Sequence, residues 1–89
     1  GLDLGEWVID TALSQISQWQ SMGLQLPISV NISAYQLQQD NFTTRLTALL
    51  EAHPDVNPNY LELEILETSA LSNISQVFAT MNVCDDFGV

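Results

Sequence analysis

Two stretches decide the fold: PISVNIS at 27–33 and LELEI at 61–65. In the first, Ile28, Val30 and Ile32 alternate with Ser29, Asn31 and Ser33; in the second, Leu61, Leu63 and Ile65 alternate with Glu62 and Glu64. A period of two marks a strand with one apolar and one polar face. Pro27 is tolerated at the first position of such a strand. Segments of helical spacing surround both. Residues 3–23 open with Asp3 and Glu6 at capping-box spacing, carry Val8, Ala12, Ile16 and Trp19 along one stripe and close on Gly23. A second helix starts near Asp40, sets Phe42, Leu46, Leu49 and Leu50 on one face and stops at Pro54; residues 55–60 are turn chemistry. A third covers about 73–87 on Ile74, Val77, Phe78, Met81 and Cys84, with Gly88 at its end.

The order helix, strand, helix, strand, helix joins the strands through a single helix, which implies parallel strands and an α/β architecture. Two parallel strands cannot cover three amphipathic helices, and each would keep an unpaired edge. The sequence therefore reads as a slice of a larger sheet or of a (β/α)8 barrel. Exposed edges also predict a homo-oligomer in which strands or helices pair or swap between copies.

The chain has 89 residues, 46% of them apolar, and eleven Asp plus Glu against one basic residue, Arg45, for a formal charge of −10. A chain of this size buries only about 60–65% of its unfolded surface, which limits it to one small core. One cation cannot build the basic footprint needed to bind a DNA or RNA polymer or to contact an anionic membrane directly. The single cysteine, Cys84, excludes an internal disulfide framework and a Cys-rich zinc site. A reducing, cytoplasmic location fits best, and no apolar run or leader pattern points to a membrane or to export.

With the apolar faces turned to the helices, Ser29, Asn31 and Ser33, and likewise Glu62 and Glu64, point toward the centre of the parent structure. Barrel interiors are usually filled by Val, Ile and Leu, so polar residues there need a reason. Asn31 and Glu64 both lie near the C-terminal ends of their strands, the end at which parallel α/β enzymes place active sites. Two readings are open on pattern alone. The pair supplies hard oxygen donors for Mg²⁺, Mn²⁺ or Ca²⁺, or Asn31 caps a loop and Glu64 is a solvated strand-end carboxylate.

The runs LGEWVIDTAL at 4–13, LPISVNISAYQLQ at 26–38 and LELEILETSAL at 61–71 resemble, in order and spacing, the central part of the EAL-domain family of cyclic di-GMP phosphodiesterases. The resemblance spans residues 1–89 as a partial EAL domain, about a third of a barrel of roughly 250 residues, without the barrel's N-terminal and C-terminal parts. It implies two divalent cations, Mg²⁺ or Mn²⁺, and in-line hydrolysis of cyclic di-GMP to linear pGpG. By position Asn31 and Glu64 match metal ligands, and Glu67 matches a supporting acidic residue. Leu66 stands where a threonine is common. Bound cations would reconcile an acidic domain with an anionic substrate. The resemblance also implies a diguanylate cyclase or sensor domain in the same parent. No complete catalytic set is present, because the opening Glu-Ala-Leu motif, the aspartate pair and later lysine and acidic residues are missing, so the fragment itself is expected to be inactive. The alternative is a degenerate EAL domain that binds a nucleotide or a protein without hydrolysis.

Cys84-Asp85-Asp86-Phe87-Gly88 looks like the family's Asp-Asp-Phe-Gly motif. Helical spacing from 73 to 87 leaves no room for the strand that should precede that motif, so Asp85 and Asp86 are expected in the last turn of a helix ended by Gly88. There they oppose the helix dipole at a cost of a few tenths of a kcal/mol each. His53 is expected as a surface or helix-capping side chain, Cys84 as a core residue, and Trp7 and Trp19 as helix packing.

Overall fold

The computed structural model describes residues 4–65 and 74–89, with side chains described for 4–65 and 78–89. Helix α1 (Leu4–Ser21) leads to strand β1 (Ile28–Ile32), a single helical turn α2 (Ala34–Leu37), helix α3 (Phe42–Ala52), a 3-10 turn (Pro58–Tyr60), strand β2 (Leu61–Ile65) and helix α4 (Ile74–Asp86). The strands pair in parallel and in register: Ile28 opposite Leu61, Ser29 opposite Glu62, Val30 opposite Leu63, Asn31 opposite Glu64 and Ile32 opposite Ile65. This is the α/β order read from the sequence, with α2 and the 3-10 turn added.

The core lies on one side of this ribbon. Ile9, Leu13 and Ile16 of α1, Val30 and Ile32 of β1, Leu46 of α3 and Leu61 of β2 are all buried together. Each such side chain withdrawn from water is worth about 1.5–3 kcal/mol. Of the expected stripe of α1, Ala12 and Ile16 are buried, Val8 is partly buried against the core and Trp19 is half-buried, while Ile9 and Leu13 join the buried row beside them. Trp7 is 56% exposed, which corrects its assignment to helix packing. A helix's apolar stripe is wide enough to offer more than one row, and contact with β1 and α3 selects this one.

Both glycine helix ends are closed by the same motif. Leu24 N–H donates to Trp19 O at 2.8 Å and Gly23 N–H to Gln20 O at 3.0 Å; Val89 donates to Cys84 at 3.0 Å and Gly88 to Asp85 at 2.9 Å. The six-to-one and five-to-two bonds define a Schellman cap, which needs a left-handed residue. Gly23 and Gly88 supply it at φ 80° and 84°.

Helix α4 departs from its expected stripe. Cys84 is buried, yet Phe78 and Met81 are 58% and 41% exposed, and Thr80, one turn before Cys84, is buried in their place. Thr80 Oγ1 donates to Leu37 O at 3.2 Å, so a polar tie to α2 sets the rotation of α4. The side chains of Ile74 and Val77 lie outside the described ones.

A polar seam joins α1 to α3 and to the turn after it. Glu6, buried in the first turn of α1, is ion-paired with Arg45, the chain's only basic residue. Asp3, its expected capping-box partner, lies outside the described residues. His53 caps α3 through its backbone N–H to Leu50 O, and its Nε2 meets Asp10 Oδ1 at 2.8 Å. His53 sits at the helix end as expected, but its backbone makes the cap while its side chain, only 16% exposed, turns to a partner 43 residues away, not to the surface or the helix end. Ser17 donates to the Asp55 carboxylate, and Gln20 Nε2 donates to Asp55 O at 2.6 Å.

Candidate functional site

Because strand side chains alternate, the in-register pairing divides the sheet by face. Ile28, Val30, Ile32, Leu61, Leu63 and Ile65 pack with the core, while Ser29, Asn31, Glu62 and Glu64 form an exposed polar face. Among the described residues no helix buries these four side chains. The polar face carries two rungs. In the lower one Ser29 Oγ donates to Glu62 Oε2 at 2.8 Å, so that carboxylate is engaged within the protein. In the upper one Asn31 and Glu64 stand directly opposite, with backbones about 4.8 Å apart, the spacing of neighbouring strands. Neither side chain has a hydrogen-bond partner among the described residues.

The Asn31–Glu64 rung is thus an open pair of oxygen donors one step from the C-terminal ends of both strands. A neutral amide oxygen beside a carboxylate suits a hard divalent cation. Two donors are fewer than the six such a cation takes. Among the described residues no three His, Cys, Asp or Glu side chains come together to hold a metal. Glu67, expected to support the site, and Leu66 lie outside the described residues.

Asp85 and Asp86 do not join this rung. They occupy the last turn of α4, both exposed, as their helical spacing implied. Asp85 lines a cavity of about 130 Å³ with Ile32, Leu63, Ile65 and Cys84, on the apolar side of the sheet and opposite the face of Glu64. Burial, and secondarily the charge of Asp85, push the Cys84 thiol above its ordinary pKa, so it is a packed, weakly nucleophilic group.

The turn that follows β1 is fixed by a signal present in the sequence and not read there. Ser33-Ala34-Tyr35-Gln36 has the Ser-x-x-Gln spacing of a capping box, and Ser33 Oγ accepts from Gln36 N–H at 3.1 Å. Ala34 and Leu37 are buried beneath it. The C-terminal end of β1, just after Asn31, is therefore anchored.

A family model described as EAL domain matches residues 1–89. The chain belongs to the EAL domain family. It is 27% identical over 88 residues to the signaling protein YkoW of Bacillus subtilis, covering 99% of this chain and 11% of that protein. It is 31% identical over 97 residues to the cyclic di-GMP phosphodiesterase PdeR of Escherichia coli, with 96% of this chain and 14% of that protein covered. It is also 31% identical over 97 residues to the bifunctional diguanylate cyclase/cyclic di-GMP phosphodiesterase MucR of Pseudomonas aeruginosa, over 98% of this chain and 14% of that protein. The chain thus spans between a tenth and a seventh of the curated relatives it matches. The two-stranded parallel sheet is consistent with a piece of the wall of an EAL barrel. Among the described residues no helix is long and apolar enough to cross a membrane.

Proposed function

We propose that these residues form the central part of an EAL barrel that hydrolyses cyclic di-GMP to linear pGpG, with Asn31 and Glu64 among the donors for Mg²⁺ or Mn²⁺. The observation that supports it is the open rung: an amide and a carboxylate in register, free of partners among the described residues, beside a rung closed by Ser29 and Glu62. A bound divalent cation would polarise the phosphodiester and lower the pKa of water. Asn31 would supply a neutral oxygen and Glu64 a charged one. Ser29 would keep Glu62 turned to its own rung and out of competition with Glu64. By the family resemblance Glu67 is proposed in a supporting role.

Electrostatics favour the same reading. Arg45 is committed to Glu6, so an anionic dinucleotide meets no free basic side chain among the described residues. Attraction then falls to cations held by the carboxylates. The remaining donors are assigned to other parts of the barrel, and the 89 residues alone are expected to be inactive. A diguanylate cyclase or sensor domain in the same protein and a cytoplasmic location complete the proposal; the lone free thiol, Cys84, fits a reducing compartment. Self-association through the strand edges is proposed for the 89-residue chain.

The test is product release from cyclic di-GMP in Mn²⁺ by the intact EAL domain and, separately, by the 89-residue chain. Linear dinucleotide from the first and none from the second is expected. An intact domain that binds the nucleotide without cleaving it would replace hydrolysis by a binding role. Turnover by the 89 residues alone would overturn the division of the site.

A further inference from the structure

We infer that Tyr35 is a specificity residue of this site, offering its ring as a stacking platform for a purine base of the substrate. The inference rests on the proposed cyclic di-GMP reading and extends it from the phosphodiester to the base. Tyr35 is 72% exposed, although it belongs to a turn that is otherwise fixed. Ala34 and Leu37 on either side of it are 0% and 2% exposed. Gln36 packs directly over Gly5 of α1, leaving no room there for a Cβ. Thr80 of α4 holds the Leu37 carbonyl, and Gln38 N–H returns to Ala34 O at 2.9 Å. Every neighbour is buried, packed or hydrogen-bonded, and the Tyr35 ring alone is presented to solvent.

Position supplies the second part of the argument. Tyr35 follows Asn31 by four residues, at the same C-terminal end of β1, so their Cα atoms are at most about 14 Å apart. A dinucleotide whose phosphodiester lies at the Asn31–Glu64 rung can place a base at that distance. A tyrosine held by its neighbours loses little freedom on stacking, and base–aromatic stacking does not require basic neighbours when a cation carries the phosphate. Trp7 is exposed too, but it borders a groove with Ile28, Val30 and Asn31 along the edge of β1, where a further barrel strand would pair. Phe78 is carried by α4, outside the β1–α2 connection.

The experiment uses the intact EAL domain with Tyr35→Ala and Tyr35→Phe. It reads KM and kcat for cyclic di-GMP, turnover of bis(p-nitrophenyl) phosphate, and equilibrium binding of cyclic di-GMP in Ca²⁺. Tyr35→Ala should raise KM and the dissociation constant about 5- to 100-fold, as the loss of one stacked base does, with kcat little changed. Turnover of bis(p-nitrophenyl) phosphate, which has no purine, should be unaffected, and Tyr35→Phe should match the parent. Unchanged cyclic di-GMP affinity in Tyr35→Ala overturns the inference, and so does an equal loss on both substrates, which would mean that Tyr35 acts through the fold. If the parent binds but does not hydrolyse, the hydrolytic reading fails while the Ca²⁺ binding ratio still decides Tyr35. If it neither binds nor hydrolyses, both are overturned.

Discussion

Replacing Arg45 by Met keeps most of the aliphatic stem and removes the only cation in the chain. Its partner Glu6 sits in the first turn of α1 with its side chain 8% exposed, whereas the Arg45 side chain is 43% exposed. Breaking a fully buried ion pair from one side costs about 3–5 kcal/mol, and a surface pair is worth about 0–1. One buried and one half-exposed partner put Arg45→Met between these limits, at about 1–2 kcal/mol. Glu6→Gln removes the charge that needs compensation, so Arg45→Met should cost markedly less in that background. The assay is chemical denaturation of the intact domain for the parent, both single variants and the double variant, followed by circular dichroism. Additive effects within about 0.3 kcal/mol would show no coupling and refute the claim that this pair fastens α3 to α1.

Three further outcomes follow from particular contacts. Gly23→Ala and Gly88→Ala both force a left-handed Cβ at a cost of roughly 1–2 kcal/mol, but a Cβ at Gly23 meets open space while one at Gly88 lies 2.9 Å from Asn59 Oδ1. Asn59 is exposed and its amide can swing aside, so denaturation should show a loss of this size at both ends, and unchanged stability in either variant would contradict the Schellman cap there. Asp55 is held below the ordinary carboxylate pKa, first by the Ser17 hydroxyl and then by a backbone hydrogen bond. Its folded value is depressed, so the stabilisation is present above the unfolded pKa and is lost as pH falls through the folded one. Ser17→Ala should move the Asp55 titration upward by NMR, and an unmoved titration would remove Ser17 as the main cause. Buried Cys84 should react slowly with a thiol reagent in the native protein and quickly after unfolding; fast native labelling would contradict its place in the core.

Both strands and the side on which each residue faces were legible in the sequence because a period of two survives wherever one face is buried and the other is not. Placing Asn31 opposite Glu64 needed only the register, which the shared apolar parity restricts to even shifts. The stripes of α1 and α4 were less legible. Val8, Ile9, Leu13 and Ile16 offer overlapping apolar rows, and contact with β1 and α3 chose among them. On α4 a threonine bonded to Leu37 displaced Phe78 and Met81 from the core. The seam of Glu6 with Arg45 and Asp10 with His53 joins residues about forty positions apart, which no local spacing encodes. The lesson of Asp85 and Asp86 runs the other way. Helical spacing excluded them from the Asn31–Glu64 rung although the local motif invited their inclusion, and the structure places them at the end of α4.

The most direct test of the open rung is Mn²⁺ binding to the intact EAL domain, measured with the parent, Asn31→Ala, Glu64→Gln and Glu62→Gln. Altering groups that merely orient a metal ligand weakens binding about 10- to 100-fold. Glu64→Gln should therefore lose about 100-fold or more, Asn31→Ala should also weaken binding, and Glu62→Gln, whose carboxylate is engaged by Ser29, should stay near the parent value. Parent-like Mn²⁺ affinity in both Asn31→Ala and Glu64→Gln would contradict the account.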